Sequence, residues 1–106
     1  MQKAIAEDIA AHPVVLYMKG TPEAPMCGFS SVVCAILKAL DVPFVSRNVL
    51  EDPLLRSEIK VFSNWPTVPQ LYVDGTLIGG CDIVRDLYDK GELKTLFANR
   101  SASPKA

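Results

Sequence analysis

The chemistry this chain could perform starts with sulfur: among 106 residues there are three cysteines, Cys27, Cys34 and Cys81, and a single histidine, His12. An odd number of thiols with no paired framework fits a reducing compartment better than a disulfide-stapled secreted domain. No Cys-x-x-Cys occurs, which excludes a four-cysteine zinc site, and His12 has no partner at ligand spacing. Cys27 follows an apolar run and a proline-containing loop and stands where a helix begins. A thiol there meets the positive end of the helix dipole and nearby amide donors, which favour thiolate over thiol. Lys19, at the far end of the apolar run, adds a positive charge. Cys34 lies seven residues along the same helix, so its backbone is about 10 Å from that of Cys27, beyond the roughly 7 Å that a disulfide spans. Flanked by Val33 and Ala35, it reads as a small core residue.

Charge offers a second cluster. Arg56 and Lys60 stand four residues apart on one predicted helix, a like-charge pair that costs a few tenths of a kcal/mol, about 0.3, unless an anion lies between them. On the helix alone they read as a solvated cationic face. Gly79-Gly80 permits close backbone approach, and the amides of Cys81 and Asp82 open a helix, which suits an anion. Asp82 is equally placed to cap that helix. Trp65 reads as a packing residue.

The hydropathy pattern supplies the elements that must hold these groups. Gln2 to Ala11 is alanine-rich with Ile5 and Ile9 on one helical face, and Val14 to Met18 is an apolar run suited to a buried strand. From Phe29 the positions Val32, Val33, Ile36, Leu37 and Leu40 share a helical face that ends near Asp41. Phe44 to Val49 reads as a second strand, parallel to the first because a helix-length crossover separates them. Asp52 followed by Pro53 is a helix start, with Leu55, Ile59 and Phe62 as its buried side. Asp74-Gly75 between Gln70–Val73 and Thr76–Ile78 predicts a hairpin. A helix with Ile83, Val84, Leu87 and Tyr88 inward stops at Gly91, and a final short turn carries Leu93, Leu96 and Phe97. Two parallel strands, an antiparallel hairpin and helices on both faces make an α/β, thioredoxin-like four-stranded mixed sheet. One domain over residues 1–100 is expected, with a disordered polar tail over 101–106.

Composition narrows the function classes. With 49% hydrophobic and 22% charged residues there is ample core for a folded domain. Eleven basic against twelve acidic residues leave a net charge of -1, without the basic excess that phosphate contacts demand, so no nucleic-acid partner is expected. The longest apolar stretch, Pro13 to Met18, is far short of the roughly 20 residues that cross a bilayer, and no membrane association is expected. Met1 to His12 contains Glu7 and Asp8 and does not read as a secretory signal.

Cys27-Gly28-Phe29-Ser30 resembles the active-site motif of the monothiol, CGFS-type glutaredoxins. Four further features stand at that family's positions: Lys19 within Met18-Lys19-Gly20-Thr21-Pro22, the stretch from Asn64 to Gln70, the hairpin, and Gly79-Gly80-Cys81-Asp82. The resemblance implies that Cys27 is both the catalytic thiol and the metal ligand. A dithiol relative has a second cysteine three residues on, which resolves a mixed disulfide; here that position is Ser30, too weak a nucleophile for the task. A thiolate without a resolving partner persists as a soft ligand suited to iron–sulfur clusters. One cysteine per subunit cannot hold a 2Fe-2S cluster, which takes four thiolates. The family's answer is a cluster-bridged homodimer, with Cys27 from each subunit and the thiolates of two glutathiones.

By the same resemblance Lys19, Arg56 and Lys60 hold the glycine carboxylate of glutathione. Val68, before a Pro69 that is cis in this fold, pairs its backbone with the cysteinyl part. The amides of Cys81 and Asp82 take the γ-glutamyl carboxylate, and the Asp82 side chain takes the ammonium. The hairpin could bring Cys81 near Cys27, but no functional disulfide is expected between them. The implied function is transfer of a labile cluster to apo iron–sulfur proteins, in keeping with the long eight-residue step from Lys19 to Cys27. The alternative is glutathione-dependent reduction of protein–glutathione mixed disulfides through Cys27, with at most weak oxidoreductase activity. A binding module for BolA-like proteins would use the same surface. Thr21-Pro22-Glu23 and the stretch Asn48 to Pro53 look most like the mitochondrial branch, implying the matrix, although a cytosolic or bacterial cytoplasmic chain would read the same.

Overall fold

Alternation along one strand sets the architecture. In the computed structural model, which describes the backbone of residues 1–102 and the side chains of residues 1–98, all five residues of β1 (Val14–Met18) are buried. Val14, Leu16 and Met18 face one core, and Val15 and Tyr17 face the other. A strand buried on both sides belongs at the centre of a sheet covered on both faces. Accordingly β1 pairs in parallel with β2 (Val45–Asn48) and antiparallel with β3 (Gln70–Val73), and β3 forms a hairpin with β4 (Thr76–Gly79), giving the order β2-β1-β3-β4.

Helices α1 (Gln2–Ala11) and α3 (Pro53–Ser63) cover the Val15 and Tyr17 face through Ile5, Ile9 and Ile59. Helices α2 (Gly28–Ala39), α4 (Cys81–Asp89) and α5 (Glu92–Ala102) cover the other through Val33, Leu37, Val84, Leu93 and Phe97. This is the four-stranded thioredoxin-like sheet that the pattern predicts. Helix α3 begins as its sequence dictates, with the Asp52 carboxylate accepting from the Leu54 and Leu55 amides at 3.1 Å each and Pro53 at the first helical position.

Two side chains expected inward are not. Ile83 and Tyr88 are 37% and 38% exposed, and the buried positions of α4 are Cys81 and Val84. Tyr88 falls in the last turn of α4, and Ile83 is turned toward a surface cavity described below. The last helix is longer than a single turn, running through Ala102. Of the tail expected over 101–106, residues 103–106 lie outside the described residues. Among the described residues no helix is long and apolar enough to cross a membrane.

Candidate functional site

The loop from β1 to α2 folds back on itself at Gly20, where φ is +92° and a Cβ would lie 2.5 Å from the Met26 nitrogen. The Gly20 amide donates to Asn48 Oδ1 at 2.9 Å, and the Met26 amide returns to the Lys19 carbonyl at 2.9 Å. Cys27 is thereby delivered to the N-cap of α2, in extended conformation and half-buried. Ser30, in the first turn, is wholly buried, and its Oγ accepts from the Lys19 amide at 3.1 Å. Strand end and helix start are thus fastened together.

This position holds the Cys27 thiol below its ordinary value of 9.0. The Ser30 amide, donating toward the sulfur, is the largest cause. Partial burial opposes it, and the Phe29 amide, the Lys19 charge and the Ser30 hydroxyl reinforce it. The other two thiols move the opposite way. Burial pushes Cys34 up, and its Sγ lies 3.5 Å from Met18 Sδ within the core. Burial and then the Asp82 carboxylate push Cys81 up. All three cysteines are free. Cys27 is therefore the one poised to act as a nucleophile or soft ligand.

A cavity of about 340 Å³ opens beside it. Lys19 and Phe29 form one side, Lys60 and Trp65 another, and the segment Pro66–Pro69 and residues Gly80 to Ile83 the remainder. The Val68–Pro69 bond is cis. Cys27 is close enough for its charge to act on Cys81 in the cavity wall. The walls approach closely at Gly80: a Cβ there would stand 3.2 Å from the Pro69 carbonyl oxygen and 3.3 Å from Trp65 Nε1. The cavity therefore offers two ammonium groups, one carboxylate and the opening turn of α4 around a partly apolar floor.

Of the residues singled out from the sequence, Lys19, Lys60, Val68, Cys81 and Asp82 come together in this lining. Arg56 is exposed one turn before Lys60 and lies outside it. Phe29, Trp65, Thr67 and Ile83 also line the cavity and were not anticipated. The available signal for Trp65 was its place directly before the proline-bracketed Pro66-Thr67-Val68-Pro69. A larger hollow of about 760 Å³ at the opposite end of β1, lined by His12, Leu40–Val45 and part of α5, contains no thiol. Among the described residues no three His, Cys, Asp or Glu side chains cluster as a metal site.

Comparison with known proteins agrees with this geometry. The sequence profile of the family described as Glutaredoxin matches residues 14–78. The chain is 52% identical over 99 residues to a probable monothiol glutaredoxin 2 of Rickettsia typhi, covering 93% of this chain and 89% of that protein. It is 45% identical over 94 residues to the mitochondrial monothiol glutaredoxin-S15 of Arabidopsis thaliana, covering 89% of this chain and 56% of the relative. In three dimensions it resembles the solution structure of reduced poplar apo GrxS14, with a TM-score of 0.81 and 47% identity over 96% of this chain and 94% of the other.

Proposed function

The chain belongs to the glutaredoxin family, in its monothiol branch, and on that premise we propose that it carries a labile 2Fe-2S cluster as cargo and passes it to apo iron–sulfur proteins. The observation that supports this most is Ser30. It occupies the place of a resolving thiol one turn from Cys27, and its hydroxyl is wholly buried and bonded to the Lys19 amide. With no thiol one helical turn away to condense with, a lowered and half-exposed Cys27 is left as a soft ligand. A 2Fe-2S cluster takes four thiolates. Two chains supply two Cys27, and two glutathiones supply the others, which makes the carrier a cluster-bridged homodimer.

In this reading glutathione lies in the cavity beside Cys27. Lys19 and Lys60 take its glycine carboxylate, and Arg56 extends the positive field outward. Val68 pairs with its cysteinyl backbone. The amides of Cys81 and Asp82 take the γ-glutamyl carboxylate, with the Asp82 carboxylate against the ammonium. BolA-like proteins are further candidates for the same surface, and the mitochondrial matrix is the compartment to which the wording of the loops points.

Anaerobic reconstitution with iron, sulfide and glutathione tests the proposal, read by visible absorption and size exclusion. The expected product is a coloured dimer that bleaches when glutathione is removed. Cys27→Ser should abolish the colour and Cys34→Ser should keep it. Equal cluster content in Cys27→Ser would overturn the assignment. The second reading, reduction of glutathione mixed disulfides through Cys27, is favoured by the same lowered thiol. A colourless monomer that binds glutathione and turns over a glutathionylated substrate would establish it instead.

A further inference from the structure

Apart from tyrosine hydroxyls and cysteine thiols, the polar side chains among the buried residues described are Ser30 and Gln70. Gln70 opens β3, followed by Leu71, Tyr72 and Val73, and none of it is exposed. A carboxamide in such surroundings is costly unless every bond is made. Its Nε2 donates to the backbone carbonyls of Trp65 at 3.2 Å and Thr67 at 3.1 Å, and its Oε1 accepts from the Tyr72 hydroxyl at 2.9 Å. The orientation is forced. Carbonyl oxygens only accept, so the amide nitrogen must face them; the amide oxygen is then left to Tyr72, whose hydroxyl must donate.

Both carbonyls belong to the segment that walls the cavity. On its other side the Trp65 amide donates to Ser63 Oγ at 3.1 Å and to the Lys60 carbonyl at 3.3 Å. One buried side chain thus couples β3 to the C-terminal turn of α3, which carries Lys60, and to the Trp65–Thr67 wall. A space-filling residue needs no bonds aimed three and five residues back along the chain. These bonds hold an irregular segment that neither a helix nor a strand ladder holds.

We propose that Gln70 is a positioning residue for the cavity: its carboxamide, oriented by Tyr72, sets the Trp65–Thr67 wall at the spacing a bound tripeptide thiol requires. The ligand part of this inference rests on the reading of the cavity as a glutathione groove; the positioning part stands on the bonds alone. Gln70 touches no ligand and acts through Trp65 and Thr67.

Two variants test it in the reduced full chain. Gln70→Met matches the size and removes both donor and acceptor. Tyr72→Phe removes only the hydroxyl and keeps the ring against Tyr17, at 5.8 Å between centroids. Three quantities are read: acrylamide quenching of Trp65, the one tryptophan in the chain; affinity for reduced glutathione by NMR titration; and the pH midpoint of Cys27 alkylation. Trp65 should become more accessible, and glutathione affinity should fall about tenfold in Gln70→Met and by less in Tyr72→Phe. The Cys27 midpoint should stay put, because its amide donors come from Ser30 and Phe29. Unchanged quenching together with unchanged affinity would overturn the proposal. So would a moved Cys27 midpoint, which would signal general loosening. If the unsubstituted chain takes no glutathione, the groove reading fails separately, and unchanged Trp65 quenching still overturns the role of Gln70. If Gln70→Met does not fold, Tyr72→Phe decides by the same readouts.

Discussion

The Ser30 hydroxyl, wholly buried, accepts a hydrogen bond from the Lys19 amide at 3.1 Å, across a loop that begins at Lys19 and ends at Cys27. One side chain therefore sets the distance between the cation at the end of β1 and the thiol at the start of α2. The same serine supplies the largest effect on that thiol through its amide and a smaller one through its hydroxyl. The absence of a thiol one turn from Cys27 and the construction of the site are consequences of one residue.

Removing that hydroxyl has two expected effects. Ser30→Ala leaves the part-buried Lys19 amide without its acceptor, and a loss of about 1 kcal/mol in urea unfolding is expected. The pH midpoint of Cys27 alkylation by iodoacetamide should rise, since a donor to the thiolate is gone. A variant as stable as the parent, with an unmoved midpoint, would mean that the bond contributes nothing.

The lowered thiol also links stability to pH. Folding depresses Cys27 from its ordinary 9.0, so its contribution is fully present above that unfolded value and is lost as pH falls through the folded one. Relative to Cys27→Ala, the parent should gain stability as pH rises toward about 9, the gap closing below the folded value. Paired denaturation curves across this window measure it. A gap that shrinks with rising pH would contradict the sign.

Lys60 and Arg56 should part company experimentally. Lys60 is half-buried and lines the cavity, whereas Arg56 is exposed and outside its lining. Lys60→Gln should weaken glutathione binding several-fold, on the order of 1 kcal/mol, as expected for a charge-assisted contact. Arg56→Gln should produce a smaller change that vanishes in high salt, because exposed charges act only through a screened field. Equal losses at both positions, insensitive to salt, would place the ligand further along α3 than the cavity suggests.

The pair also illustrates what the sequence could and could not tell. Spacing of four put Arg56 and Lys60 on one helical face, but spacing carries no information about which turn of α3 meets the cavity, and Arg56 stands one turn before the lining. Ile83 looked inward from its apolar character, which fits a core position, yet α4 turns it to the cavity and buries Cys81 and Val84 instead. Cys27, Ser30, the Asp52-Pro53 helix start and the Asp74-Gly75 turn were legible because each acts locally, through its own backbone or the next turn. Gln70 was not. Its bonds reach back across Pro66-Thr67-Val68-Pro69, and a glutamine at a strand start gives no sign of facing inward.

Gly80 gives the sharpest test of how closely the cavity walls approach. Its φ of -95° suits any residue, so Gly80→Ala introduces no backbone strain and isolates the effect of one added methyl. That methyl would stand 3.2 Å from the Pro69 carbonyl oxygen and 3.3 Å from Trp65 Nε1. Neither is the free end of a flexible chain, for one is backbone and the other a ring. The walls must part, at a cost of about 1–3 kcal/mol for overpacking. Stability should therefore fall in urea titrations, the Trp65 emission should shift, and glutathione affinity should drop with it. The Cys27 alkylation midpoint should hold, since none of the groups that lower it is displaced. A variant with parental stability and parental Trp65 emission would mean that the walls yield freely and that Gly80 is not needed for their contact.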